Sequence, residues 1–116
     1  MKTYRDLLIW QKSMALVSEV YKLTKSFPNE EMFGLSAQLR KASVSVPSNI
    51  AEGYGRNSTK DYVRFLHIAI GSLYEIQTQI EIAFELKYLP SEDFTRLDKL
   101  MKEIERMISS LLRKLK

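Results

Sequence analysis

An all-α fold, an antiparallel up-down-up-down four-helix bundle in one domain, follows from three observations. Apolar residues recur at helical spacing over nearly all of the 116 residues, and no segment reads as a strand. Three short breaks interrupt the period: Phe27-Pro28-Asn29, the Gly55–Ser58 stretch, and Tyr88-Leu89-Pro90. Connections this short make successive helices run antiparallel. The composition, 45% hydrophobic and 28% charged, is that of a folded domain with a real core but no room for two.

The first helix is expected over about 6–26. Leu7, Trp10, Met14, Val17, Tyr21 and Thr24 recur at steps of three and four, and Ile9, Leu16, Val20, Leu23 and Phe27 widen that face. The second is expected over about 34–55, with Leu35, Leu39, Ala42, Val46 and Ile50 on its core side. The third, about 59–87, is the most regular: Tyr62, Leu66, Ala69, Leu73, Ile76, Ile80 and Ala83 hold heptad spacing. Ser58 is its natural N-cap, with Asp61 completing a variant capping box. The fourth, about 92–115, takes Ser91 as its cap and repeats Leu97, Met101, Ile104, Ile108, Leu111 and Leu115.

The second helix is two-faced. Val44, Pro47, Ala51 and Tyr54 make a second apolar side, and between the two sides runs a polar stripe of Gln38, Lys41, Ser45, Asn49, Glu52 and Arg56. A helix apolar on two sides buries both, so the outer side calls for a partner, most simply another copy. The third helix adds a half-polar face of Ile68, Ser72, Glu75, Gln79, Ile82 and Leu86 with the look of an interface. An oligomer is therefore expected.

Several function classes are disfavoured. There is no cysteine, which excludes disulfides, thiolate metal sites and cysteine nucleophiles. No apolar run approaches the roughly 20 residues of a membrane span, and the opening residues lack a signal-peptide pattern, so a cytoplasmic location is expected. A di-iron bundle needs two Glu-x-x-His pairs, whereas His67 is the single histidine and has Arg64 three residues before it. Glu-Gly-Tyr-Gly-Arg lacks the spacing and the lysine of a phosphate loop. Neither an enzyme, a metal nor a cofactor is expected.

Two charged features remain. In the polar stripe, Glu52 and Arg56 stand at i, i+4 in the favourable order, and Ser48 and Asn49 can serve backbone groups freed by Pro47. Gly53 and Gly55 allow close helix approach and a left-handed exit. This stripe reads first as an intramolecular tie or subunit contact, and second as a ligand site. On the fourth helix, Lys99, Lys102, Arg106 and Arg113 form a narrow basic stripe. In a monomer it is a solvated face; repeated around identical subunits of net charge +4 it becomes an array able to bind phosphate backbones without a base-reading motif.

The segments Asp-Leu-Leu-Ile-Trp-Gln-Lys-Ser-Met (6–14), Phe-Gly-Leu-Ser-Ala-Gln-Leu-Arg-Lys-Ala (33–42), Val-Pro-Ser-Asn-Ile-Ala-Glu-Gly-Tyr-Gly-Arg (46–56) and Ile-Ala-Ile-Gly-Ser-Leu-Tyr-Glu-Ile-Gln-Thr-Gln (68–79) closely resemble the 23S ribosomal RNA intervening-sequence proteins. Members of that bacterial family are encoded within insertions in 23S ribosomal RNA genes or free-standing. The resemblance implies a four-helix bundle assembled as a homopentameric ring, with no catalytic residue. A related accessory protein of diversity-generating retroelements binds nucleic acid through basic surfaces and partners a reverse transcriptase. The motif residues Asn49, Glu52, Gly53, Arg56, Gly71, Ser72, Glu75 and Gln79 are then structural. The leading expectation is a non-enzymatic homopentamer that binds RNA or other nucleic acid electrostatically. The alternative is an oligomeric adaptor for a protein partner such as a reverse transcriptase.

Overall fold

The computed structural model describes residues 3–116; Met1 and Lys2, which open the segment read above for a leader, lie outside the described residues. Four helices hold almost all of it: α1 Leu8–Thr24, α2 Leu35–Tyr54, α3 Thr59–Glu85 and α4 Ser91–Leu115. Among the described residues there is no strand. Each helix packs on its chain neighbours and α4 closes back on α1, while the backbones of the diagonal pairs stay apart and meet only through the shared core, so the cross-section is roughly a square. The bundle measures 43 × 24 × 21 Å.

Registers run antiparallel throughout. On the α2–α3 side Gln38 lies opposite Gln79, Ser45 opposite Ser72 and Gly53 opposite Phe65. Between α1 and α4, Lys12 meets Glu103 at 3.0 Å and Glu19 meets Arg96 at 2.9 Å. Between α3 and α4, Phe84 stacks on Phe94 at 4.4 Å and Gln77 donates to Glu105 at 3.0 Å. The fully buried centre is drawn from all four helices: Leu16, Leu39, Ile50, Leu66, Leu73, Ile76, Leu97 and Ile104 among others.

The buried face of α1 is not the one the first stripe suggests. Ile9, Leu16, Val20, Leu23 and Phe27 go inward, with Ser13 and Thr24 beside them. Met14 and Tyr21 stay 42% and 39% exposed. Two apolar stripes compete on this helix, and the winning one includes small polar residues that return their hydroxyls to their own backbone: Ser13 Oγ donates to the Ile9 carbonyl at 2.6 Å and Thr24 Oγ1 to that of Val20 at 2.8 Å. In α4, Leu112 rather than Leu111 is buried, and Leu115 is only half-buried.

The ends differ from expectation in instructive ways. A 3-10 turn, Tyr4–Asp6, precedes α1 and carries the full capping box, built by Thr3 and Asp6. At α3, Ser58 Oγ accepts from the Asp61 N–H at 3.1 Å, while the Asp61 carboxylate turns to Arg64 at 3.9 Å. Ser91 does not cap α4; Pro90 holds the extended N-cap position and Ser91 is already helical. Gly55 leaves α2 in the right-handed region, and the left-handed residue is Lys87, φ 64°. It ends α3 in a Schellman motif, with Lys87 N–H on the Phe84 carbonyl and Tyr88 N–H on that of Ala83. Pro47 sits inside an unbroken α2. Asn49 serves Ser45 rather than a group facing Pro47.

Glu31 joins two ends of the fold. One carboxylate oxygen accepts the first N–H of α2, Leu35, at 3.1 Å, and the other accepts from the Tyr88 hydroxyl at 2.9 Å. That hydrogen bond, with burial and the carboxylates of Glu31 and Glu30, holds the Tyr88 phenol above its ordinary value of 10.0. A phenol raised in the folded state favours folding fully below the ordinary value and stops doing so as pH rises through the raised one. Tyr88→Phe should therefore melt at a lower temperature than the wild type at neutral pH, and the gap should close above pH 10.0; a gap unchanged with pH would rule the bond out.

Gly53 fixes how closely α2 and α3 approach. A Cβ there would stand 2.8 Å from Phe65 Cβ and 3.0 Å from Tyr62 Cδ1. Phe65 Cβ is a side-chain stem and the Tyr62 carbonyl oxygen, 3.3 Å away, is backbone, so Gly53→Ala forces the helices apart. The expected loss is about 1–3 kcal/mol, read from the denaturant midpoint; no loss would mean the spacing is not set here.

Candidate functional site

The polar stripe of α2 faces α3. Gln79, 7% exposed, donates through Nε2 to Gln38 Oε1 at 3.3 Å and to Glu75 Oε2 at 3.1 Å. Its Oε1 has no partner among the described residues. Ser45 and Ser72 share a hydroxyl hydrogen bond of 2.9 Å, and Asn49 Nδ2 donates to the Ser45 carbonyl at 2.8 Å and to its Oγ at 3.0 Å. Lower down, Arg56 pairs with Glu52 at 2.8 Å and lies over the Phe65 ring at 5.0 Å. Gln38, Glu75 and Gln79 thus form one hydrogen-bonded cluster and Ser45, Asn49 and Ser72 a second, both along the α2–α3 seam, with Gly53 at its tight end. Lys41 stands apart, exposed and without an ion pair among the described residues.

Apolar surface is left on both sides of α2. Toward α1, Tyr4, Trp10, Met14, Val17, Val44 and Pro47 line a groove of about 310 Å³. The outer stripe of α1 and the second face of α2 meet there, and Val44 is 42% exposed. Toward α3, Ile68 and Ile82 are each 43% exposed and Leu86 is 51% exposed. Gly71 lies between Ile68 and Glu75 on the same heptad stripe, and a Cβ on it would meet nothing within 4 Å. A mid-helix glycine costs about 0.5–1 kcal/mol relative to alanine, and no contact within this chain requires it.

On α4, Lys99, Lys102, Arg106 and Arg113 are all exposed. Lys102 pairs with Asp98 at 3.2 Å, while Lys99, Arg106 and Arg113 make no ion pair with any described residue. Arg106 also rims a groove of about 500 Å³ between α4 and the start of α1, with Leu7, Leu8, Met107, Leu111 and Lys114. His67 is exposed on α3. Among the described residues no group of three or more His, Asp or Glu side chains could hold a metal ion, and no helix is long and apolar enough to cross a membrane.

The sequence profile of the 23S rRNA-intervening sequence proteins matches residues 5–110. The chain belongs to this family. No curated protein sequence matches it. Among solved structures, a Bacteroides thetaiotaomicron protein of unknown function from the S23 ribosomal protein family superposes with a TM-score of 0.84 at 23% identity, covering 91% of this chain and 96% of that one. At that identity the likeness establishes the shared fold.

In this intervening-sequence protein, sequence reasoning missed three things at the surface. Met32 and Phe33, beside the start of α2, are 55% and 92% exposed; they fall between two helical patterns, where periodicity assigns no face. The groove between α1 and α2 was hidden because the stripe that lines it was assigned to the core. The 3-10 turn that brings Tyr4 onto Trp10 at 5.3 Å is too short to leave a period. Ser45→Ala should cost about 0.5–1.5 kcal/mol, because Asn49 and Ser72 each lose a partner. In a double-mutant cycle with Ser72→Ala the two losses should not add; strict additivity would show that the seam is not coupled.

Proposed function

We propose that the protein is a non-enzymatic homopentamer that binds RNA through its basic surface, by phosphate contacts rather than base readout. The observation that carries the binding half is the α4 stripe, where Lys99, Arg106 and Arg113 are exposed and unpaired among the described residues. Phosphate neutralisation needs a cationic array and little else. The ring half rests on α2, a corner helix with apolar surface on both adjoining sides. Adjacent rather than opposite sides of the bundle carry the two contact faces, which suits closure into a small ring rather than an open filament. The two faces differ, so the contact is heterologous: the Ile68–Ile82 stripe of one copy against the α1–α2 groove of the next. Gly71 is where the neighbour's backbone comes close. The family resemblance supplies the number five.

A second reading, an adaptor that holds a protein partner, is favoured by Met32 and Phe33. An almost fully exposed phenylalanine beside an exposed methionine is unusual for a lone monomer's surface and fits a hydrophobic docking point.

Fluorescence anisotropy with a structured RNA hairpin across a salt series tests the first reading. Affinity should fall linearly on a double-logarithmic plot, and Arg106→Ala with Arg113→Ala should reduce the slope by about 2. An affinity indifferent to salt would contradict it. Gly71→Arg should keep the helix content and reduce the particle to smaller species; an unchanged particle size would remove the stripe from the interface.

A further inference from the structure

Antiparallel packing sorts the charges by end. The start of α1, the α2–α3 connection and the end of α4 converge: Tyr4 lies with Ala51, Glu52 and Arg56, Leu8 lies with Arg106 and Lys114, and Tyr54 meets Tyr62 edge-on at 6.2 Å. Cutting each helix near its middle puts segments 3–15, 46–72 and 104–116 at this end. Among the described residues they hold nine Lys and Arg against four Asp and Glu, a net +5. The opposite end, segments 16–45 and 73–103, holds eight against ten, a net −2; the Lys12–Glu103 ion pair straddles the cut, and with it set aside the ends carry +4 and −1. Segment 104–116, with four basic residues and one acid, supplies +3 of the basic end's charge, and the fold brings segments 3–15 and 46–72, each a net +1, to the same end.

The charges at the basic end are available and partly pre-ordered. Arg5, Lys60, Arg106, Arg113 and Lys114 are exposed and make no ion pair with any described residue. Arg5 lies over the Tyr4 ring at 4.8 Å. Arg56 and Arg64 both lie against Phe65, at 5.0 and 4.4 Å, although each is also paired with an acid, Glu52 and Asp61. An arginine held on an aromatic face has less freedom to lose when its N–H groups meet a phosphate. At the other end Lys22, Lys25, Lys41, Lys87 and Lys99 are also exposed without an ion pair among the described residues. They stand among ten carboxylates, however, and Arg96 is taken by Glu19 and Asp93 and Lys102 by Asp98. A phosphodiester backbone approaching that end meets net repulsion.

We infer that the RNA phosphate backbone docks on this end of the bundle, across Arg5, Lys60, Arg106, Arg113 and Lys114, rather than along the length of α4. The inference rests on the RNA-binding reading and relocates its surface: Arg106 and Arg113 belong to the basic end, while Lys99 and Lys102 lie in the acidic half. In a ring joined through lateral faces, every copy turns its basic end to the same rim. A duplex or folded loop lying on that rim touches several copies at once, and weak contacts per copy combine.

Two charge-matched triple variants separate this end from net charge. Arg5→Gln/Lys60→Gln/Lys114→Gln removes three positive charges from the basic end. Lys22→Gln/Lys25→Gln/Lys87→Gln removes three from the opposite end. All six positions are exposed, and melting curves are to check that both variants are folded before binding is compared. With a 20-base-pair RNA hairpin and anisotropy detection, the first variant should lose at least about tenfold in affinity at 0.1 M salt, and about 3 in the salt slope. The second should stay within about twofold of the wild type. Equal losses in both, or a loss in neither, would overturn the docking end and leave RNA binding standing. A wild type without salt-dependent binding would overturn the RNA reading and the docking end with it.

Discussion

The rest of the structure depends on the close approach of α2 and α3 at Gly53. A hydrogen in place of a methyl lets the α2 backbone sit against Phe65 and Tyr62. That contact sets the distance at which Ser45 can reach Ser72 and Gln38 can reach Gln79. Hydrogen bonds need heavy atoms within about 3 Å, so a seam of short polar side chains closes only if the helices are already this near. The apolar centre of the bundle supplies the stability. The glycine and the seam select the register.

Because α2 is held this way, its remaining surface cannot turn inward. The core takes Leu39, Ala42, Val46 and Ile50, and the seam takes the stripe facing α3. Val44 is left exposed toward α1, with Pro47 buried and Ala51 half-buried beside it where the outer stripe of α1 meets them. The exposed apolar residues of this helix pair are therefore a consequence of the register and not scattered accidents. The same antiparallel order sorts the charges, because each turn of the chain returns its flanking residues to one end or the other. Surface ion pairs such as Lys12 with Glu103 contribute little to stability in water.

Much of the fold is legible in the sequence, since α3 and the core side of α2 each carry a single strong period that packing obeys. Part of the α2 polar stripe is legible for the same reason: Gln38 and Ser45 find partners at matching spacing on α3, whereas Asn49, Glu52 and Arg56 pair within their own helix region and Lys41 stands apart. The less legible parts have physical causes. On α1 two apolar stripes overlap, and the inward one contains Ser13 and Thr24, whose hydroxyls bond their own helix and so cost little to bury. At the start of α4 a proline and a serine both suit a helix start, and the extended φ and ψ of Pro90 decide between them. The end of α3 uses a lysine where a glycine signal would be sought. The basic end is only partly visible in the linear sequence: the run from Arg106 onward shows there, but Arg5, Lys60 and Arg64 come from two separated segments that each carry a net charge of only +1.

The central claim is that α2 is a corner whose two apolar flanks are both covered in solution. Light scattering behind a sizing column, at micromolar concentration, measures this most directly. For a chain of 13.5 kDa the account predicts a single species of about 68 kDa, five copies, with no monomer shoulder. A species at the mass of one chain would leave both flanks bare and contradict it.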